Sequence, residues 1–187
     1  MTIRIDYSNM IGDAAGGISE SDWSASAKAF ETAHAGWKKL RDSGAVGFAD
    51  IVTDAALRSQ ATDFAARAKG RYDDVVILGI GGSALGPIAL RTALRPSGWN
   101  MLPTAGRGGN PRLHVLDNVD PETIAALLAR LDLARSLFIV TSKSGGTAET
   151  MSQFLIVNQA LERGSLPIAR HVVFVTDPAQ GALRPLA

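Results

Sequence analysis

Cysteine is absent from all 187 residues. That absence removes disulfides, thiolate nucleophiles and cysteine metal sites, and it fits a reducing compartment. Long apolar runs are missing too. The opening "MTIRIDYSNMIGD" holds nothing that would serve as a secretion signal, and the longest apolar stretch, "VVILGI", falls far short of the roughly 20 residues of a membrane helix. There is no excess of one charge either: 19 basic residues against 18 acidic ones give a formal net charge of +1, which does not suit coating a polyanion. A G-x-x-x-x-G-K-[ST] loop is not found, so triphosphate hydrolysis of the P-loop kind is excluded. What remains is a cytoplasmic protein with neither nucleic acid nor membrane as partner.

What is present is enough for a core. With 46% hydrophobic and 20% charged residues the chain is of globular composition, and at this length it buries roughly 70% of its unfolded surface. From Ser21 to about Arg41, Trp23, Ala27, Phe30, His34, Trp37 and Leu40 recur at three- and four-residue steps, which predicts a helix with His34 packed on its apolar side. A second helix is expected from about Ile51 to Lys69, closed by Gly70.

Beyond Gly70 the pattern changes. "DVVILGI" (74–80), "RLHVLD" (112–117), "SLFIVTS" (136–142) and "HVVFVT" (171–176) read as strands buried on both faces, with helical stretches between them. Alternating strand and helix predicts an α/β fold: a doubly wound parallel sheet of flavodoxin-like order 2-1-3-4, preceded by N-terminal helices. Residues 95–112 carry three arginines and are expected to form a solvated loop. The closing "DPAQGALRPLA" reads as a turn and the start of another helix, with no fifth strand after it, so the expectation is a protein that continues past residue 187.

Two glycine-rich turns follow the first and third strands. "GIGGSALGP" (79–87) meets the loose pattern G-x-G-x-x-G/A through Gly79, Gly81 and Ala84, but the acid that would hold a ribose about 20 residues on is missing; that interval falls near Asn100 and Met101. The better reading has Gly81 and Gly82 exposing backbone amides to a ligand, Ser83 capping the next helix and Pro87 in its first turn. The second turn, "TSKSGGTAET" (141–150), offers the hydroxyls of Ser142, Ser144 and Thr147 and the amides of Gly145 and Gly146 where a helix begins, with Thr147 at its cap. Helix N-termini attract phosphate through unsatisfied amides and the dipole. In a 2-1-3-4 sheet both turns lie at the switch point between strands one and three, so one phosphorylated, hydroxylated ligand touched by both is the economical inference.

"LGIGGSALGP" together with "TSKSGGTAETM" resembles the first sugar-isomerase (SIS) domain of the glucose-6-phosphate isomerase family, whose members show G-G-S-x-L-G-P and S-K-[ST]-x-x-T-x-E-T turns. The resemblance covers residues 71–187, and "IRIDYSNM" with the two early helices, within residues 1–70, looks like the segment that precedes the domain. It implies that Ser142, Ser144 and Thr147 bind the sugar phosphate, with Lys143 and the glycine amides in the same loop, and that Gly82 and Ser83 face the sugar. Gly146 stands where other versions carry Thr. The activity implied is interconversion of glucose 6-phosphate and fructose 6-phosphate, without metal or organic cofactor, by a homodimer.

No catalytic residue is assigned within the chain. The acid/base groups implied by the resemblance lie further along than residue 187; Glu149, the carboxylate near the second turn, suits the helix dipole, and His114 and His171 begin strands as packing or edge residues. A noncatalytic sugar-phosphate-binding domain of a regulator and a dinucleotide-dependent oxidoreductase stand as the alternatives.

Overall fold

The computed structural model describes residues 4–12 and 16–186. The readings made on the first residues of the chain rest partly on positions 1–3 and 13, which lie outside the described residues. The chain divides into two compact units, with the division between Thr62 and Asp63.

The first unit contains helix α1, Glu20–Asp42, and the first half of helix α2, Ala55–Ala68. Ser19 caps α1: its hydroxyl accepts the Asp22 N–H at 3.1 Å, and Glu20 and Asp22 put negative charge in the first turn. The expected apolar stripe is on the helix, but it is not buried. Trp23, Phe30, Trp37 and Leu40 are exposed, and so is His34, which stacks on Phe30 at 5.8 Å. Placing His34 in a core is therefore corrected. Periodicity reports a helix's face, whereas burial needs an element to cover that face, and none of the described residues between 4 and 62 is buried. The second predicted helix begins later than Ile51, because Ile51–Thr53 form a separate 3-10 turn; Asp54 caps α2 through its bond from the Leu57 N–H at 2.9 Å.

The second unit is a four-stranded, all-parallel sheet of order β2-β1-β3-β4, as the sequence pattern predicts: β1 Asp74–Leu78, β2 Arg112–Leu116, β3 Ser136–Ser142 and β4 Val172–Thr176. Between them run α3 (Gly82–Leu94), α4 (Pro121–Leu128), α5 (Ala148–Arg163) and the single turn α6 (Ile168–His171). Right-handed crossovers in this order put α3 on one face and α4 and α5 on the other. On the latter face Val76, Leu78, Leu116, Phe138 and Val140 meet Ile124 of α4 and Phe154, Val157 and Leu161 of α5 in one buried cluster. Each such side chain contributes roughly 1.5–3 kcal/mol.

Burial on both faces holds for the inner strands, β1 and β3, and not for the outer pair. β2 is half-buried except at Leu116, and Val175 of β4 is exposed, because an edge strand has a neighbour on one side only. His171 does not begin β4; it ends α6, buried, with Nδ1 2.9 Å from the Ser136 carbonyl. His114 lies on edge strand β2 as expected, but it belongs to a buried polar cluster: its Nε2 is 2.8 Å from the carboxylate of fully buried Asp74. Residues 95–112 are more ordered than a solvated loop. Arg107 is buried there, donating to the carbonyls of Leu102 and Asn110, so one of the three arginines ties the loop together.

Candidate functional site

β1 and β3 are adjacent, with Leu78 opposite Val140, so the turns leaving their C-terminal ends come side by side. Gly82 and Ser83 from the first turn and Lys143 from the second line one cavity of about 380 Å³, together with Thr141, Thr176 and Asp177.

The first turn differs from expectation in its capping. Gly81, not Ser83, occupies the N-cap of α3, at φ +55°, and no side chain caps the helix. Ser83 lies inside the first turn, its N–H held by the Ile80 carbonyl at 3.1 Å. Pro87 falls in the helix interior, not in the first turn, and so leaves the Ser83 carbonyl without its usual i+4 donor. Both errors have one origin: the glycines enter the helix earlier than a Ser cap implied. A Cβ on Gly82 would meet no protein atom within 4 Å, whereas one on Gly79 would stand 2.9 Å from the Ser83 Cβ. Gly82 therefore opens space to a ligand, and Gly79 makes the turn possible.

The second turn is built from hydroxyls. Thr147 stands at the N-cap of α5 as predicted, but its hydroxyl caps no amide. It lies 3.1 Å from Ser142 Oγ and 3.5 Å from Ser144 Oγ, and the Gly146 N–H donates to Ser144 Oγ at 3.3 Å. Ser142 and Gly145 are buried, Thr147 is half-buried, and Lys143, Ser144 and Gly146 are exposed. Three hydroxyls and a free helix start thus converge, with Lys143 on the same loop. These groups can donate to an oxyanion, and α5, at 16 residues, adds the positive end of its dipole. Glu149 is in the first turn of α5, where its charge opposes that pole.

Sequence reasoning missed the contribution of the segment after β4. Asp177 lines the cavity and adds a second carboxylate to Glu149 near the turns. Its Oδ1 accepts the N–H groups of Ala179 and Gln180 at 2.8 and 3.0 Å, which occupies it with turn formation. The 2-1-3-4 order itself held the clue, since β4 beside β3 delivers its C-terminal residues to the second turn. A second hollow, of about 350 Å³ and lined by Arg91, Arg95 and Trp99, lies at the opposite end of the sheet, where Arg95 rests 4.6 Å from the Trp99 ring. No helix of eight residues or more starts at its lining residues, whereas α5 starts on the turn that carries Lys143.

A family model for phosphoglucose isomerase matches residues 47–181. The glucose-6-phosphate isomerase of Carboxydothermus hydrogenoformans is 36% identical over 193 aligned residues, which take in 100% of this chain and 41% of that protein. The glucose-6-phosphate isomerase of Rubrobacter xylanophilus is 43% identical over 116 residues, covering 61% and 26% respectively. Among solved structures, a hypothetical protein from Thermus thermophilus superposes with a TM-score of 0.71 at 33% identity, over 88% of this chain and 37% of that one. A glucose-6-phosphate isomerase from Chlamydia trachomatis superposes with a TM-score of 0.54 at 33% identity, over 63% and 21%. The chain thus spans less than half the length of each of these relatives.

Proposed function

The chain belongs to the phosphoglucose isomerase family, and from that premise we propose that it supplies the phosphate-binding wall of a glucose-6-phosphate isomerase. Residues 71–187 form the sugar-phosphate-binding domain. The observation that carries this reading is the cluster of Ser142, Ser144 and Thr147 hydroxyls at the start of α5, on the turn whose Lys143 shares a cavity with Gly82 and Ser83.

In this reading the phosphate monoester takes the hydroxyls of Ser142, Ser144 and Thr147 and the amides of Gly145 and Gly146. Each charge-assisted bond there is worth about 1.5–3 kcal/mol. Lys143 offsets the phosphate charge from the same loop. The sugar lies over Gly82 and Ser83, where the lack of a side chain lets its hydroxyls reach the backbone. Holding the phosphate fixes C1 and C2 in place, so that proton transfer between them meets a preset geometry. The transfer itself requires ring opening, a base to carry the proton from C2 to C1 and positive charge beside the enediolate. The carboxylates at hand are Asp177, engaged by two amides, and Glu149, held on α5. The proton-transfer groups are therefore assigned to the part of the relatives' length that this chain does not span. The same reading takes the whole protein as a cytoplasmic homodimer that uses no metal or organic cofactor.

The test is a thermal-shift comparison of glucose 6-phosphate, 6-phosphogluconate and NAD. The two sugar phosphates are expected to raise the melting temperature and NAD to leave it unchanged. Stabilisation by NAD alone would replace this reading with the oxidoreductase one.

A further inference from the structure

The segment that follows β4 crosses back over the hydroxyl-rich turn. Gly181 meets it backbone to backbone: a Cβ on Gly181 would overlap the Ser144 carbonyl oxygen and stand 2.9 Å from Gly145 Cα, and one on Gly145 would stand 3.0 Å from Gly181 Cα. Both glycines hold positive φ, +94° and +65°. Two residues on, the Leu183 N–H donates to the Gly145 carbonyl at 3.2 Å, while the Leu183 side chain is fully buried in the cluster with Phe138, Val140 and Phe154. Gly181 therefore permits the approach and Leu183 anchors it.

The bond to Gly145 has an effect on the far side of the same peptide. The peptide joining Gly145 and Gly146 is trans, so its C=O and N–H point in opposite directions. With the carbonyl drawn to Leu183, the Gly146 N–H is turned away from the strap and toward Ser144 Oγ, 3.3 Å off, among the three hydroxyls. Two adjacent glycines would otherwise be the freest pair a turn can contain, and that freedom would be lost on binding.

We infer that Gly181–Leu183 is a positioning strap. It fixes the orientation of the Gly145–Gly146 peptide before ligand arrives, so that the Gly146 N–H, held meanwhile by Ser144 Oγ, faces the start of α5, where an oxyanion can take Ser144's place as its acceptor. That the oxyanion is a sugar phosphate rests on the proposed function; that the turn is held by the strap does not.

The experiment separates the two. In the 187-residue chain, Gly181→Ala is expected to lower the 15N order parameters of Gly145 and Gly146 from about 0.85 toward 0.6, with those of β1 and β3 unchanged. Affinity for glucose 6-phosphate is expected to fall roughly 10-fold or more. If Gly181→Ala does not fold, Ala182→Gly, which loosens the strap without adding an atom, is expected to move both readouts in the same direction by less. Unchanged order in the turn of a folded variant overturns the inference. So does a loosened turn that binds the sugar phosphate as tightly as before. A loosened turn in a protein whose unsubstituted form binds no sugar phosphate leaves the strap standing and removes the proposed function.

Discussion

Asp74 and Arg112 are joined twice: they are register partners in the β1–β2 ladder, and the guanidinium also donates to the carboxylate at 2.7 and 2.5 Å. Asp74 is fully buried, and His114 closes the cluster from the same edge strand. Burial pushes the Asp74 pKa up, but the bonds from Arg112 and His114 and the guanidinium charge outweigh it and hold the carboxyl below its ordinary value.

A carboxyl depressed in the folded state stabilises the fold above its unfolded pKa, near 4, and loses that contribution as pH falls through the lower folded value. The denaturation midpoint of the chain is therefore expected to drop steeply below about pH 4. Asp74→Asn is expected to flatten that acid limb and to cost about 2–3 kcal/mol at neutral pH, since Arg112 and His114 lose their charged partner. Urea titrations at pH 7, 4 and 3 check both; an acid limb identical in the variant would show that other carboxylates carry it.

Thr147→Ala is expected to weaken glucose 6-phosphate binding roughly 10- to 150-fold by calorimetry, the equivalent of one charged hydrogen bond. Stability is expected to fall by only about 1 kcal/mol, because the Thr147 hydroxyl caps no amide of α5 but does bond buried Ser142 at 3.1 Å. Unchanged affinity would move the phosphate away from this turn.

Gly82→Val is expected to fold, because no protein atom lies within 4 Å of a Cβ there, and to lose sugar-phosphate binding because the side chain fills the open space. Gly79→Ala is expected to do the reverse damage, distorting the turn where its methyl meets Ser83 at 2.9 Å. Circular dichroism and a binding titration on the two variants distinguish them. Normal binding by Gly82→Val would make the first turn merely structural.

Turnover is expected only from a chain extended over the length of the relatives. A positioned acid/base contributes about 10² to 10⁴ in rate; among the described residues no histidine lines the cavity, and the carboxylate that does, Asp177, has Oδ1 taken up by two turn amides. Fructose 6-phosphate formation by the 187-residue chain and by the extended one, side by side, is the measurement. Equal rates would turn attention to Asp177 and Glu149 as catalysts.

The sequence made the Ser142–Thr147 turn legible because strand burial, paired glycines and a helix start are all local signals, and the structure keeps β3 and the α5 cap at their predicted positions. Asp74 was hidden at the head of an apolar run, since its burial depends on Arg112 from another strand. Gly181 was hidden for the same reason: nothing near it in the chain shows that it will touch Ser144 and Gly145. Along α1 the periodicity gave the helix and its face correctly, but burial is a property of whatever covers a face, and Trp37 and Phe30 are exposed.

The strand order also sets a timetable for the growing chain. β1 is made first and lies between two neighbours that do not yet exist: Arg112 follows Asp74 by 38 positions, and Arg135, which pairs with Asp73 at the head of β3, follows by 62. At about 5–20 residues per second a ribosome takes roughly 3–12 seconds to cover the longer interval. For that time the apolar run Val75–Leu78 has backbone groups with no ladder to join, and non-local parallel pairing of this kind is intrinsically slow even once the partners are available. The central strand of the finished sheet is thus the segment most in need of shielding during synthesis.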